Sequence, residues 1–391
     1  MTKNKNDRRR LKIIGRKIYL DTVHTSNTDV DILVRPSMLE TTRRHLRNAN
    51  LEYEVLIEDV QRKIDLENPS ITEEEAELVS RQGHKLTFDH YHPMDDMHGY
   101  LDYLAETYKE FVTLETIGMS NEKRPLKLVK ISSGYPNATA IWIDGGIHAR
   151  EWISPAVTMH ITRELTEYRD NLPPYLRNLD YYILPMVNPD GYEYTRSSSF
   201  NRLWRKNRRP GSLCNGVDLN RNWGYKWGGQ GTSSKECSEI FRGPTPSSEP
   251  ETKAVSNYIV GKIPKIQGFV TFHSYGQYIL YPWGYDNKVP PDYQDLQRVG
   301  DTASRNIRST TGKNYKVGSS AQLLYPAAGA SDDWAKARGK IKYTYTVELR
   351  DEGSNGFLIP ASEIVGASKD GFEVIKAIAE ALAQSSPYAA V

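Results

Sequence analysis

The chain has 391 residues, of which 38% are hydrophobic and 10% aromatic, and it carries a formal net charge of +2. That composition sustains a packed core and excludes a disordered chain. The near-neutral charge argues against a nucleic-acid partner, because dedicated binders present a strongly basic face. No apolar run reaches transmembrane length, so no membrane span is expected.

Residues 1–28 open on MTKNKNDRRRLKIIGRK and read as a basic, solvated extension. No apolar stretch follows Met1, so no secretory signal is visible. From residue 29, DVDILVRP alternates like a strand, SMLETTRRHLRN puts Leu39 and Leu46 on one helical face, and LEYEVLIEDV reads as a second strand. The stretch 61–86 is polar, charged and poorly periodic from Pro69 onward. It reads as a linker with a helical portion, and Arg81 offers a processing protease an exposed basic bond.

From about Phe88 apolar strands alternate with helices. TAIWID (139–144), YYILPMV (181–187), QGFVTF (267–272) and KYTYTVEL (342–349) are the strands. SPAVTMHITRELTEY (154–168) starts with Ser at a cap position and Pro at the first helical position; 294–307 and 372–382 are further helices. This order predicts an α/β fold, a mixed or mostly parallel sheet covered on both faces, with function at the carboxyl ends of its strands. Cys214 and Cys237 are either two buried thiols or one disulfide, and their spacing leaves both open. Asn137-Ala138-Thr139 is a glycosylation sequon.

Polar residues crowd the strand ends. TAIWID runs into GGIHARE, QGFVTF into HSYG, and KYTYTVEL carries Glu348. If these strands are neighbours, His148, Glu151, His273 and Glu348 converge at one edge. Two histidines and a glutamate form a zinc ligand set with an open position for water. Glu348 is then a general base beside a cation, a better reading than an ion pair with Arg350. Arg208 and Arg209 read as a solvated face. Asn220-Arg221, between Leu219 and Trp223, reads as a buried arginine in need of an anion, and its planar fork suits a carboxylate. A zinc hydrolase with such a clamp cuts at the end of a peptide.

HAREW, NPDGY, LWRKNR, DLNRNW, FHSYGQ, SDDW and ELRDEG follow one another in an order and spacing that resemble the digestive carboxypeptidase A/B (M14) family in its pro-form, and the resemblance covers nearly the whole chain from about Asp29 onward. The resemblance implies an eight-stranded, mixed, mostly parallel twisted sheet with helices on both faces, plus a small α+β pro-segment. Residues 29–81 would be the pro-segment and connecting segment, with 29–60 resembling only its second half. Residues 82–391 would be the catalytic domain.

By the same resemblance one zinc ion per chain is held by His148, Glu151 and His273, and Glu348 is the base that activates water at the metal. Arg205 polarises the scissile carbonyl. Asn220 and Arg221 grip the terminal carboxylate, and Tyr325 closes over it. Arg150, Ser274, Tyr275 and Phe357 are outer substrate contacts. Asp218 orients the first histidine. Cys214 and Cys237 form a disulfide, which points to secretion. The implied partners are peptide and protein C-termini, the chain's own pro-segment as inhibitor and a trypsin-like protease acting at Arg81; the protein would be a monomer.

Specificity is read from AQLLYPAAGASDDW (321–334). Asp333 is structural. Asp332 stands where the A-type has an aliphatic residue and the B-type an aspartate, so it would pair with a substrate Lys or Arg and disfavour an aromatic side chain. Ala330 replaces the family's usual glycine. B-type cleavage is therefore expected, with A-type or broad specificity, or an inactive binding relative, as alternatives. The inactive relative is disfavoured because all four metal and base residues are present. No G-x-S-x-G or H-E-x-x-H motif occurs.

Overall fold

A computed structural model describes residues 21–25, 30–262 and 265–385. At its N-terminus β1 (Asp21–Thr25) pairs antiparallel with β2 (Val30–Leu33). In α1 (Leu39–Asn48) Leu46 is buried against Leu51. The second strand expected over 51–60 does not form: residues 51–59 are irregular, and α2 (Val60–Glu67) begins at the end of that stretch. Tyr53, Val55 and Leu56 are exposed, so no sheet face rewards their alternation. Asp59 instead starts the helix, its Oδ1 accepting the Arg62 amide at 3.0 Å.

The helical portion expected in the linker is α3 (Glu73–Ser80). A reciprocal cap sets its start: Thr72 Oγ1 accepts the Glu75 amide at 3.2 Å, and Glu75 Oε2 accepts the Thr72 amide at 2.9 Å. Arg81 follows directly, exposed and paired with Glu77 at 2.6 Å.

The main elements that follow are α4 (Met94–Thr107), β3 (Val112–Met119), β4 (Pro125–Ile131), β5 (Ala140–Asp144), α5 (Ile153–Thr166), β6 (Asp180–Leu184) and α6 (Pro189–Arg196). They continue with α7 (Pro250–Val260), β7 (Ile266–His273), β8 (Tyr278–Tyr281), α8 (Tyr293–Thr311), β9 (Lys316–Ser319), α9 (Ser331–Ala337), β10 (Tyr343–Glu348) and α10 (Ile364–Ser385). The eight-stranded sheet runs β3-β4-β6-β5-β7-β10-β8-β9. Its centre, β6-β5-β7-β10, is parallel throughout, so these strands end at one edge. The flanking pairs β3-β4, β4-β6 and β10-β8 are antiparallel, and β8-β9 is parallel.

Both faces of the sheet are covered, which explains why β5 is apolar without alternation. Ile141 and Ile143 enter one core with Val157 of α5 and Ile375 of α10, while Ala140 and Trp142 enter the other with Val255 of α7 and Trp334 of α9. Ser154 does not cap α5, as its position suggested. The helix starts one residue earlier, and the Ser154 hydroxyl donates to the Phe272 carbonyl at 2.6 Å and accepts the Gly146 amide at 2.9 Å. It thus ties the β5 turn to β7.

Arg208 and Arg209 are not a solvated face. The Arg208 guanidinium lies 3.6 Å from the centre of the Tyr194 ring, and Arg209 pairs with buried Glu249 at 2.9 Å. Cys214 and Cys237 are joined as a disulfide with Cα atoms 5.0 Å apart, which decides between the two readings of the thiols.

Candidate active site

At the end of β5 the chain must turn sharply while staying close to α5. Gly146 has φ +66°, and a Cβ on Gly145 would lie 2.5 Å from Thr158 Oγ1. The turn delivers His148 and Glu151; the end of β7 delivers His273. His148 Nδ1 lies 2.7 Å from Glu151 Oε1, and His273 Nδ1 lies 3.1 Å from both Glu151 Oε2 and His148 Nδ1. All three side chains are buried, and their ligand atoms lie within 4.8 Å of one another. Two imidazole nitrogens so close can share at most one proton between them, so the pair suits a cation. The donor set of two nitrogens and a carboxylate is one that zinc takes. Burial pushes Glu151 upward, but the two histidines outweigh it and hold its carboxyl well below the usual range.

Asp218 caps the short turn Leu219–Arg221 and links three residues of the site. Its Oδ1 faces His148 Nε2 at 3.2 Å, and its Oδ2 accepts from Arg205 through Nε at 3.1 Å and Nη2 at 3.0 Å. Burial would raise the Asp218 carboxyl, but Arg205 and then Arg221 hold it far down. Arg205 Nη1 also stands 3.9 Å from Glu151 Oε1.

Arg221 donates to the Gly231 carbonyl at 3.0 Å and the Asn220 carbonyl at 2.9 Å; among the described residues it forms no carboxylate ion pair. Asn220 Oδ1 accepts the Ser331 amide at 2.9 Å, which brings the 219–221 turn onto the start of α9 and thus next to Asp332. Asp332 is 3% exposed, and Ser320 Oγ donates to it at 3.3 Å. Burial raises its carboxyl. Asp333 accepts the Gly284 and Tyr285 amides at 2.8 and 2.9 Å, as its structural reading anticipates.

Glu348 ends β10 directly opposite His273 of β7. Burial drives its carboxyl up to about 7; His273, Arg205 and Arg221 pull it down, and Glu151 pushes it up. Arg350 is not its partner, because that guanidinium binds Asp370 at 2.6 Å and Glu363 at 2.8 Å.

The outer residues also gather. The Arg150 guanidinium stands 4.1 Å over the Phe357 ring, and the Tyr275 ring meets Phe357 edge-on at 4.9 Å. The backbone amide of Ser274 donates to Glu151 Oε2 at 3.2 Å. Tyr325 is half-buried and close enough to Arg205 to act on its charge.

Three residues in these contacts were not anticipated. The Tyr275 hydroxyl donates to Asp31 Oδ2 at 2.5 Å. Glu67 forms a buried fork with Arg202, whose Nη1 also donates to the Arg150 carbonyl at 2.8 Å and whose Nη2 donates to the Phe357 carbonyl at 3.0 Å. An isolated glutamate in a charged run carries no sequence signal of burial. The apolar Leu203-Trp204 pair beside Arg202 was the one hint.

Comparisons with known proteins agree with this geometry. A family model described as zinc carboxypeptidase matches residues 97–374, and one described as carboxypeptidase activation peptide matches residues 2–67, beginning upstream of residue 29. The chain is 42% identical over 292 residues to carboxypeptidase B of Astacus astacus, covering 74% of this chain and 96% of that one. It is 40% identical over 362 residues to carboxypeptidase A4 of Mus musculus, covering 91% and 84%. The crystal structure of thrombin activatable fibrinolysis inhibitor superposes with a TM-score of 0.87 at 33% identity, covering 97% of this chain and 96% of that one. The eight-stranded sheet, the His-Glu-His triad and both matched segments lead to one conclusion: the chain belongs to the zinc carboxypeptidase family, as a proenzyme carrying its activation peptide.

Proposed function

We propose that the activated enzyme removes C-terminal Lys and Arg. The carrying observation is Asp332, a buried carboxylate with which no lysine or arginine pairs among the described residues. A buried charge without a cation is costly, and a basic substrate side chain supplies one. His148, Glu151 and His273 hold the zinc ion, with Asp218 orienting His148. When bound, zinc supplies a Lewis acid for water and for the scissile carbonyl.

Glu348 accepts a proton from the attacking water and later passes it to the leaving amine. Its raised affinity for protons suits both steps. Arg205, locked by Asp218, stabilises the developing oxyanion. Asn220 and Arg221 bind the terminal carboxylate, and Tyr325 closes over it. Arg150, Ser274, Tyr275 and Phe357 contact residues further along the peptide.

In the proenzyme the activation peptide acts as inhibitor by occupying this outer surface through Asp31 and Glu67. A trypsin-like protease releases it at or near Arg81, which is exposed. The disulfide fits a secreted enzyme working in an oxidising compartment. The test is release of Arg, Lys and Phe from matched peptides after trypsin treatment, with and without a chelator. Chelator-sensitive release of Arg and Lys above Phe is expected. Preference for Phe would mean A-type specificity, and no chelator-sensitive release would remove the enzymatic reading.

A further inference from the structure

Asp218 serves His148, but none of the groups assigned so far serves His273. The Nδ1 of His273 faces the triad, 3.1 Å from Glu151 Oε2 and from His148 Nδ1. For Nδ1 to offer a lone pair to a cation, the ring proton must sit on Nε2. That nitrogen lies 3.4 Å from Thr271 Oγ1, two residues back on β7 and therefore on the same side of the strand.

Thr271 is in turn the cross-strand neighbour of Asp144 in the parallel β5-β7 register. Asp144 is 2% exposed. Its Oδ2 accepts the Trp142 indole N–H at 2.6 Å, whereas its Oδ1 has no hydrogen-bond partner among the described residues. A carboxylate in such a place needs donors. The groups that oppose its burial are the Thr271 hydroxyl, the Trp142 indole and the charge of His273.

We propose that Thr271 and Asp144 are positioning residues for His273, joined as a His273–Thr271–Asp144 chain behind the metal site. The Thr271 hydroxyl accepts the His273 Nε2 proton and turns its own hydrogen toward the carboxylate of Asp144, its cross-strand neighbour, without closing a direct hydrogen bond to Oδ1 in this structure. One hydroxyl can do both, having one donor and two acceptor lone pairs. The chain holds His273 in the tautomer that leaves Nδ1 free and raises the basicity of that nitrogen. It mirrors what Asp218 does for His148, but with a hydroxyl interposed because β5 and β7 hold the carboxylate one residue-pair further from the edge. The inference rests on the reading of His273 as a metal ligand.

The test measures zinc affinity of the full chain, stripped with a chelator and titrated against a chromogenic competitor. T271V keeps the shape and removes the hydroxyl; its zinc dissociation constant is expected to rise about 10-fold or more, within the 10–100-fold range for such outer partners. T271S, which restores a hydroxyl, should stay within about threefold of the parent, and D144N should weaken binding in the same direction as T271V. Proton NMR supplies a second readout: a His273 Nε2–H resonance, assigned by its loss in H273A, should shift in T271V and remain in T271S. This holds even if D144N does not fold. T271V binding zinc as tightly as a zinc-binding parent, with that resonance unmoved, overturns the inference alone. A parent chain that takes up no zinc overturns the metal centre and this inference with it.

Discussion

Glu67 and Arg202 form a forked ion pair with both side chains 1% exposed, one residue inside the activation-peptide match and the other inside the zinc carboxypeptidase match. The remaining donors of Arg202 hold the carbonyls of Arg150 and Phe357. A charge pair this buried is costly to break from one side, on the order of 3–5 kcal/mol, because the survivor is left unpaired. E67A should therefore loosen the N-terminal segment. The expected outcome is measurable peptidase activity before trypsin treatment and faster conversion by trypsin, read by peptide hydrolysis and gel. A mutant as silent and as slowly converted as the parent would mean that the pair does not hold the proenzyme shut.

Asp332 bears the specificity reading. In D332A the pocket loses its carboxylate, and truncating one side of a buried charge pair costs about 2 kcal/mol or more. Release of C-terminal Arg should fall at least ~30-fold in kcat/KM, while release of Phe should rise. Unchanged discrimination between Arg and Phe would place the selectivity elsewhere.

Acid should destabilise the metal-free chain through its depressed carboxyls. Asp218 and Glu151 are both held below the usual carboxylate range in the folded state. A carboxyl depressed by folding stabilises the fold fully above its unfolded pKa, about 4, and that stability is lost as pH falls below it. Denaturant unfolding of the chelated protein should therefore show stability dropping steeply below pH ~4. D218N should flatten that slope. An equal slope in D218N would show that the Arg205 pairing contributes nothing to acid stability.

The disulfide closes a loop with a sequence separation of 23. Loop entropy assigns such a cross-link about 3 kcal/mol. The double variant C214S/C237S should lose stability of that order in urea unfolding at neutral pH. A change below ~1 kcal/mol would indicate that the loop is held by its other contacts, such as the Ser212 and Leu213 amides on Glu236.

Much of the site could be read from the chain because parallel strands deliver their ends to one edge. An apolar run followed by His148 and Glu151, another ending at His273, and a third carrying Glu348 needed only adjacency, and the β5-β7-β10 order provides it. The Thr72–Glu75 cap also closes on itself locally, but it lay unread in a polar run. What failed depended on distant partners. The alternation over 51–60 predicted a strand, but no neighbouring strand accepts it. Ser154 sat where a helix cap is expected and instead joins Gly146 to Phe272. Arg208 lay in a charge run and is covered by Tyr194 from α6. Glu67 and Thr271 acquire their roles from docking and register, which no local pattern encodes.

The central claim is that Glu348 moves the proton in a zinc-dependent C-terminal cleavage. E348Q removes the carboxylate and leaves His148, Glu151 and His273 intact. After trypsin treatment, zinc content and hydrolysis of a peptide ending in Arg should be measured on the same sample. The account predicts zinc retained as in the parent and a kcat lower by roughly 10²–10⁴-fold, the usual contribution of a general base. A variant that keeps its zinc and hydrolyses the peptide at near the parent rate would contradict it.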